Sequence, residues 1–173
     1  MAIATRILFL VAVLRGTSVL AADPIRKNEA VVSEDSNRFS QRFSLGKDVV
    51  VVEVRTQPFQ KAKHKLKLDE AGGVRKVDGR RVLGTDAGPP EHLKSEIVTV
   101  AVVWNGTRRT IDRRFFADCF NTSAVPARVL VSDDFQAVMI TLSGGDGAGH
   151  YEVTWTASSD GLVRRFLAED DDF

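Results

Sequence analysis

The sequence predicts an all-β fold, a two-layer antiparallel β-sandwich, on three observations. Short apolar runs alternate with period two from Phe39 to Leu167. They are rich in valine, threonine and aromatic residues, and glycine-containing turns such as Asn105-Gly106 and Ser159-Asp160-Gly161 separate them. A single short segment, 113–120, carries helical spacing. About eight or nine strands with one short helix close most simply as two packed sheets. Strand count alone leaves an open or closed β-barrel as the alternative.

The chain divides into four parts. In residues 1–22, Arg6 precedes the apolar run Ile7–Leu14, and small residues end the segment at Ala21-Ala22. Charge, short apolar core and small-residue exit form the pattern of a secretory signal peptide, and the run is too short to span a bilayer. The mature chain is therefore expected in an extracellular or periplasmic compartment, without a transmembrane segment. Residues 23–37 are polar and poorly patterned and read as a flexible leader. Residues 38–168 form a single β domain, and 169–173 an acidic tail.

Within the domain, Phe39, Gln41, Phe43 and Leu45 share one side of a first strand, and Gly46-Lys47-Asp48 turns the chain. Val49–Val54 comes next as a strand expected to be covered on both faces, with Val50, Val52 and Val54 pointing one way. Lys61–Arg81 is the basic part of the molecule. There the leucines of His64-Lys65-Leu66-Lys67-Leu68 alternate with lysines, as in a strand with one dry and one wet face. Gly72-Gly73 turns into the short strand Val74–Val77. Asp78-Gly79, Gly84 and Gly88-Pro89-Pro90 then interrupt residues 78–90, so no long strand forms there.

Ser95–Trp104 and Thr107–Ile111 flank Asn105-Gly106, the strongest short-range hairpin signal, because a type I′ turn needs positive φ at both central residues. A two-residue turn pairs Trp104 with Thr107, Val103 with Arg108 and Val102 with Arg109. The predicted core face carries Val98, Val100, Val102, Trp104 and Ile111. Asp112 is placed to cap a helix over 113–120 that docks Phe116, Cys119 and Phe120 on the sheet. Ala137–Leu142, Tyr151–Thr156 and Leu162–Leu167 read as a final three-stranded meander, with Ala127–Val131 as an optional strand before it and with Tyr151, Val153 and Trp155 on its core face.

Composition narrows function. Twenty-four Lys and Arg against 23 Asp and Glu give +1, and loss of Arg6 and Arg15 with the signal leaves about −1. That balance does not support a general nucleic-acid binder. Cys119 is the only cysteine, so no intramolecular disulfide forms, and its phenylalanine neighbours make it a small buried hydrophobe.

The glycine-rich Gly144–Gly149 lacks the Lys and Ser/Thr of a phosphate-binding P-loop and reads as a hairpin loop. Asp133-Asp134 reads as a turn. No catalytic, metal or cofactor signature is present. Asn105-Gly106-Thr107 and Asn121-Thr122-Ser123 match the glycosylation pattern.

Strand alternation would put Lys61, Lys63, Lys65 and Lys67 on one face, a candidate anion-binding row. Arg108, Arg109, Arg113 and Arg114 form a second basic cluster, expected to be separate from the first, in which Arg108, Arg113 and Arg114 are the further anion-binding candidates. The expected function is thus an exported, non-catalytic binding or structural domain. Its partner would be an exported protein, an anionic surface or an anionic polysaccharide; oligomeric state is not legible. The alternative is a secreted hydrolase with a site assembled from remote residues such as His64, His150, Asp118 and Asp146.

Overall fold

The computed structural model describes residues 27–32, 37–86, 88–145 and 147–169. The segment expected to be a signal peptide, Asp146 and residues 170–173 lie outside them. The fold is the all-β, antiparallel sandwich the sequence predicts, and neither main sheet closes into a barrel.

Among the described residues, twelve strands run β1 (Lys27–Val32), β2 (Arg38–Leu45), β3 (Asp48–Pro58), β4 (Leu66–Leu68), β5 (Val74–Val77), β6 (Arg80–Arg81), β7 (Ser95–Trp104), β8 (Thr107–Thr110), β9 (Arg128–Val131), β10 (Ala137–Gly144), β11 (Tyr151–Ser158) and β12 (Val163–Glu169). One sheet has the order β1-β2-β3-β7-β8 and the second β12-β11-β10-β9, while β4-β5-β6 form a separate three-stranded sheet. Strand β1 falls inside the segment expected to be a flexible leader: it pairs antiparallel with β2, from Lys27 opposite Ser44 to Val32 opposite Phe39.

The core lies between the two larger sheets. Phe39, Phe43, Val50, Val52, Val54, Val100, Val102 and Trp104 from the first meet Val138, Ile140, Leu142, Tyr151, Val153 and Trp155 from the second. Each such side chain contributes roughly 1.5–3 kcal/mol on burial. The β7–β8 hairpin has the predicted register, and Asn105 (φ 47°) and Gly106 (φ 85°) supply the two positive φ angles of its turn. Ile111 is buried, and its N–H donates to the Val100 carbonyl.

Four expectations need correction. Val98 is only half-buried, and Ile97 takes the core position. A β-bulge is the cause: Arg55 opposes Thr99 but Thr56 opposes Ile97, so Val98 is the extra residue and the inward–outward phase inverts there. The helix over 113–120 shrinks to a single 3-10 turn, Arg113–Phe115, although the Asp112 carboxylate does cap it by accepting from the Arg114 N–H at 2.8 Å. Beyond it Cys119 and Phe120 form isolated bridges to Leu83 and Glu96, and that tertiary pairing displaces a helix too short to persist alone. The third correction concerns Val49 and Val51, opposite the core face of β3, which are half-buried rather than enclosed. Finally, Lys61 and Lys63 sit on a 3-10 turn, so no four-lysine face forms by alternation.

Candidate functional site

The three-stranded sheet has its own small core of Val74, Val77, Val82, Leu93 and Phe120, with Phe59 and Leu66 packed against it. Asp78 (φ 50°) and Gly79 (φ 82°) form a two-residue turn between β5 and β6 and thereby fix the register. Val77 faces Arg80, and Lys76 faces Arg81. On the other side Lys67 faces Lys76. Directly opposed residues share a face, so Lys67, Lys76 and Arg81 stand side by side across three strands. Adjacent strands lie about 4.8 Å apart, so the row spans roughly 10 Å. Lys67 and Lys76 are exposed and have no carboxylate partner among the described residues.

His64 joins this sheet to the larger one. The 3-10 turn Lys61–Lys63 delivers its ring onto Phe59, stacked at 4.8 Å between centroids. Its Nδ1 lies 2.8 Å from Asp78 Oδ2 and its Nε2 lies 3.4 Å from Glu96 Oε1 on β7. A neutral imidazole donates to one of these carboxylates; the imidazolium donates to both. Asp78 also accepts the Lys65 N–H at 2.9 Å. That bond first, and His64 second, hold the Asp78 carboxyl below its usual range. Glu96 accepts from Gln57 Nε2 at 2.7 Å, and its second oxygen lies 3.7 Å from Arg113 Nη2.

Two clefts meet at this network. One, of about 300 Å³, is lined by Gln57, Lys63, His64, Asp78, Glu96 and Arg113. The other, of about 320 Å³, includes His64, Asp78, Arg80, Asp112, Arg113 and Arg114. Lys63 and Arg113, from the two basic segments expected to lie apart, therefore share a cleft. The segment after β6 explains it: Leu83 N–H donates to the Asp118 carbonyl, Phe120 N–H donates to the Leu83 carbonyl, and Arg80 Nη1 reaches the Arg114 carbonyl at 3.3 Å. Gly84 permits this approach, since a Cβ there would lie 2.3 Å from the Phe120 carbonyl oxygen.

The remaining sequence candidates are dispersed. Lys61 and Lys65 are exposed beside the network, Lys65 engaging Asp78 through its backbone. The Arg114 guanidinium lies over the Phe115 ring, 4.9 Å from its centroid. Arg108 belongs to a different surface, the five-stranded sheet, where it pairs with Glu53. Sequence reasoning missed Lys76 and Arg81, although the Asp78-Gly79 turn would have placed them opposite each other.

The residues of the hydrolase alternative engage different partners. His64 is held by Asp78 and Glu96, with side-chain exposures of 4% for His64 and 8% for Glu96. Asp118 pairs with Arg165 at 2.9 Å. His150 precedes β11, and Asp146 lies outside the described residues. Cys119 is buried, and burial first, the Asp118 charge second, push its thiol far up, against any thiolate role. Among the described residues no three His, Cys, Asp or Glu side chains are grouped to hold a metal ion, and no helix is long and apolar enough to cross a membrane.

Asn121 has a structural task. Its Nδ2 donates to the Gly84 and His92 carbonyls at 2.7 and 2.8 Å, and its Oδ1 accepts the Lys94 N–H. No protein-family model, curated protein or solved structure matches the chain.

Proposed function

We propose that this is an exported, non-catalytic β-sandwich domain that binds an anionic polymer, such as an acidic polysaccharide, along the basic band of its three-stranded sheet. The observation that carries the reading is the cross-strand row Lys67–Lys76–Arg81. Like charges directly opposite one another weaken a sheet, so an external anion that screens them gains affinity from the folded register itself. Arg80, Arg113, Arg114 and Lys63 form a separate group of cations around the two clefts. Asp78, Asp112 and Glu96 partly neutralise that group, which favours the row as the main contact in this reading.

The test is retention on an immobilised sulfated polysaccharide. Lys67→Gln with Lys76→Gln elutes at lower salt than the parent chain, while the melting temperature does not fall. Equal retention of parent and double variant rejects the band. Export is tested separately: mass spectrometry of the secreted chain finds an N-terminus near Ala22 or Asp23, and an intact Met1 in a cytoplasmic product rejects it.

A further inference from the structure

We infer that the outer face of the five-stranded sheet carries a second, compact anion site, built from Arg38, Arg55 and Arg108, that takes a phosphate monoester. The three arginines line one cleft of about 450 Å³ together with Ser40, Glu53 and Thr99. Arg38 and Arg55 are directly opposed across β2 and β3, so their side chains leave the sheet on the same face. Neither has a carboxylate partner among the described residues, and both are exposed. The acid in the cleft, Glu53, is already engaged by Arg108. Three guanidinium groups and one carboxylate leave a formal charge of +2. A phosphate monoester near neutral pH carries about −1.5 to −2.

The backbone explains why the cleft lies there. The bulge at Val98 sits beside Arg55, since Thr99 is its partner in β7 and the register slips at the next residue. A bulge increases local twist and re-aims neighbouring side chains, which opens the sheet surface between Arg38 and Thr99. Thr56 fixes that end of the β2–β3 hairpin by donating its N–H to the Asn37 carbonyl at 2.9 Å. Glu53 fixes the other wall by holding the Arg108 guanidinium. Planar guanidinium forks match the oxygens of a phosphate, and a single ester oxygen leaves three terminal oxygens for three arginines. The cleft falls within the size range of small-ligand sites, so the phosphate would carry an organic body rather than arrive bare.

The experiment titrates the full exported chain with phenyl phosphate at low salt, monitored by calorimetry and by amide shifts. Binding perturbs the amides around Arg38, Arg55 and Thr99. Arg38→Gln and Arg55→Gln each weaken binding about tenfold, the loss of one charge-assisted contact. Without ligand these variants melt no lower than the parent, because each removes a like-charge opposition. Lys67→Gln with Lys76→Gln leaves phenyl phosphate binding unchanged, which separates this site from the polymer-binding band. The assignment is overturned by an absence of binding to the parent chain, by equal binding to Arg38→Gln and Arg55→Gln, or by an equal loss in the lysine variant.

Discussion

The sandwich and the three-stranded sheet meet the same requirement, burial of apolar side chains, with very different means. Between the larger sheets, buried residues from both layers enclose one another, and Trp155, Tyr151, Ile140 and Leu142 are almost wholly removed from water. The small sheet has only five buried apolar residues in its own cluster and three short strands, the shortest of two residues. Where its core is thin, polar ties take over: Asp78 and Glu96 gripping His64, and Asp69 accepting the Gly73 N–H and pairing with Arg75. The difference teaches where function can be placed. A surface of opposed cations costs stability, and here it lies on the small sheet rather than on the strands that enclose the larger core.

The largest expected effect breaks the sandwich. Trp155 is fully buried, and its Nε1 donates to the Phe115 carbonyl at 2.9 Å. Trp155→Ala should destabilise by about 3–5 kcal/mol, lowering the denaturant midpoint for the whole domain. In the small sheet, Val77→Ala should cost only about 2 kcal/mol. Hydrogen exchange should show its effect concentrated in amides 65–81. Equal, global effects of the two substitutions would mean that the regions unfold as one unit.

The next effect tests the tie between the regions. His64→Ala removes a ring that both carboxylates face and that stacks on Phe59. Glu96 then keeps Gln57 and the more distant Arg113 but loses its third partner. The expected cost is about 1–2 kcal/mol. Amides 65–81 should exchange faster, while those of β10 and β11 stay protected. Unchanged exchange in the small sheet would show that Phe59 and Phe120 hold it unaided.

Legibility tracked the range of the interactions. The β7–β8 hairpin could be read to the residue because Asn105-Gly106 is a local device, and the meander because Tyr151, Val153 and Trp155 alternate cleanly. Val98 could not, because a bulge is settled by pairing with β3, which lies some 40 residues upstream. The segment after Asp112 misled for a similar reason: its Phe and Cys spacing fits a helix, yet Leu83 and Glu96 claim its backbone. At the candidate site, alternation is a rule for strands, and Lys61 and Lys63 precede the strand. The row that does exist runs across strands, with its key in the Asp78-Gly79 turn.

Acid offers a graded way to separate the two regions. Asp78 is held below its usual range by the Lys65 N–H and His64, and Asp69 by the Gly73 N–H and Arg75. A carboxyl lowered in the folded state contributes stability above its unfolded pKa and loses it as pH falls through the folded value. Acidification below the ordinary carboxylate range should therefore loosen both turns of the small sheet. Asp134 and Asp160 are lowered too, each first by a serine hydroxyl, but they serve turns of the sandwich, where the core persists. Exchange protection at 65–81 should fall at a higher pH than protection in β10 and β11. Simultaneous loss would assign the acid sensitivity to the sandwich instead.

The smallest expected effect has the opposite sign. Lys76 stands between Lys67 and Arg81, opposed by a cation on both sides. Lys76→Gln keeps a polar side chain, one atom shorter, and removes both like-charge oppositions. Cross-strand charge pairs are worth roughly 0.2–1 kcal/mol, so the variant should be more stable by a few tenths of a kcal/mol. The gain should shrink as salt is added, because mobile ions screen exposed charges over a shorter distance. Lys61→Gln, on the 3-10 turn outside the row, should leave stability unchanged. A chain that is more stable without Lys76 but binds anionic polymer less well carries that lysine for the contact and not for the fold. A loss of stability on Lys76→Gln would show instead that its aliphatic stem packs on the sheet, and the row would then need no ligand to explain it.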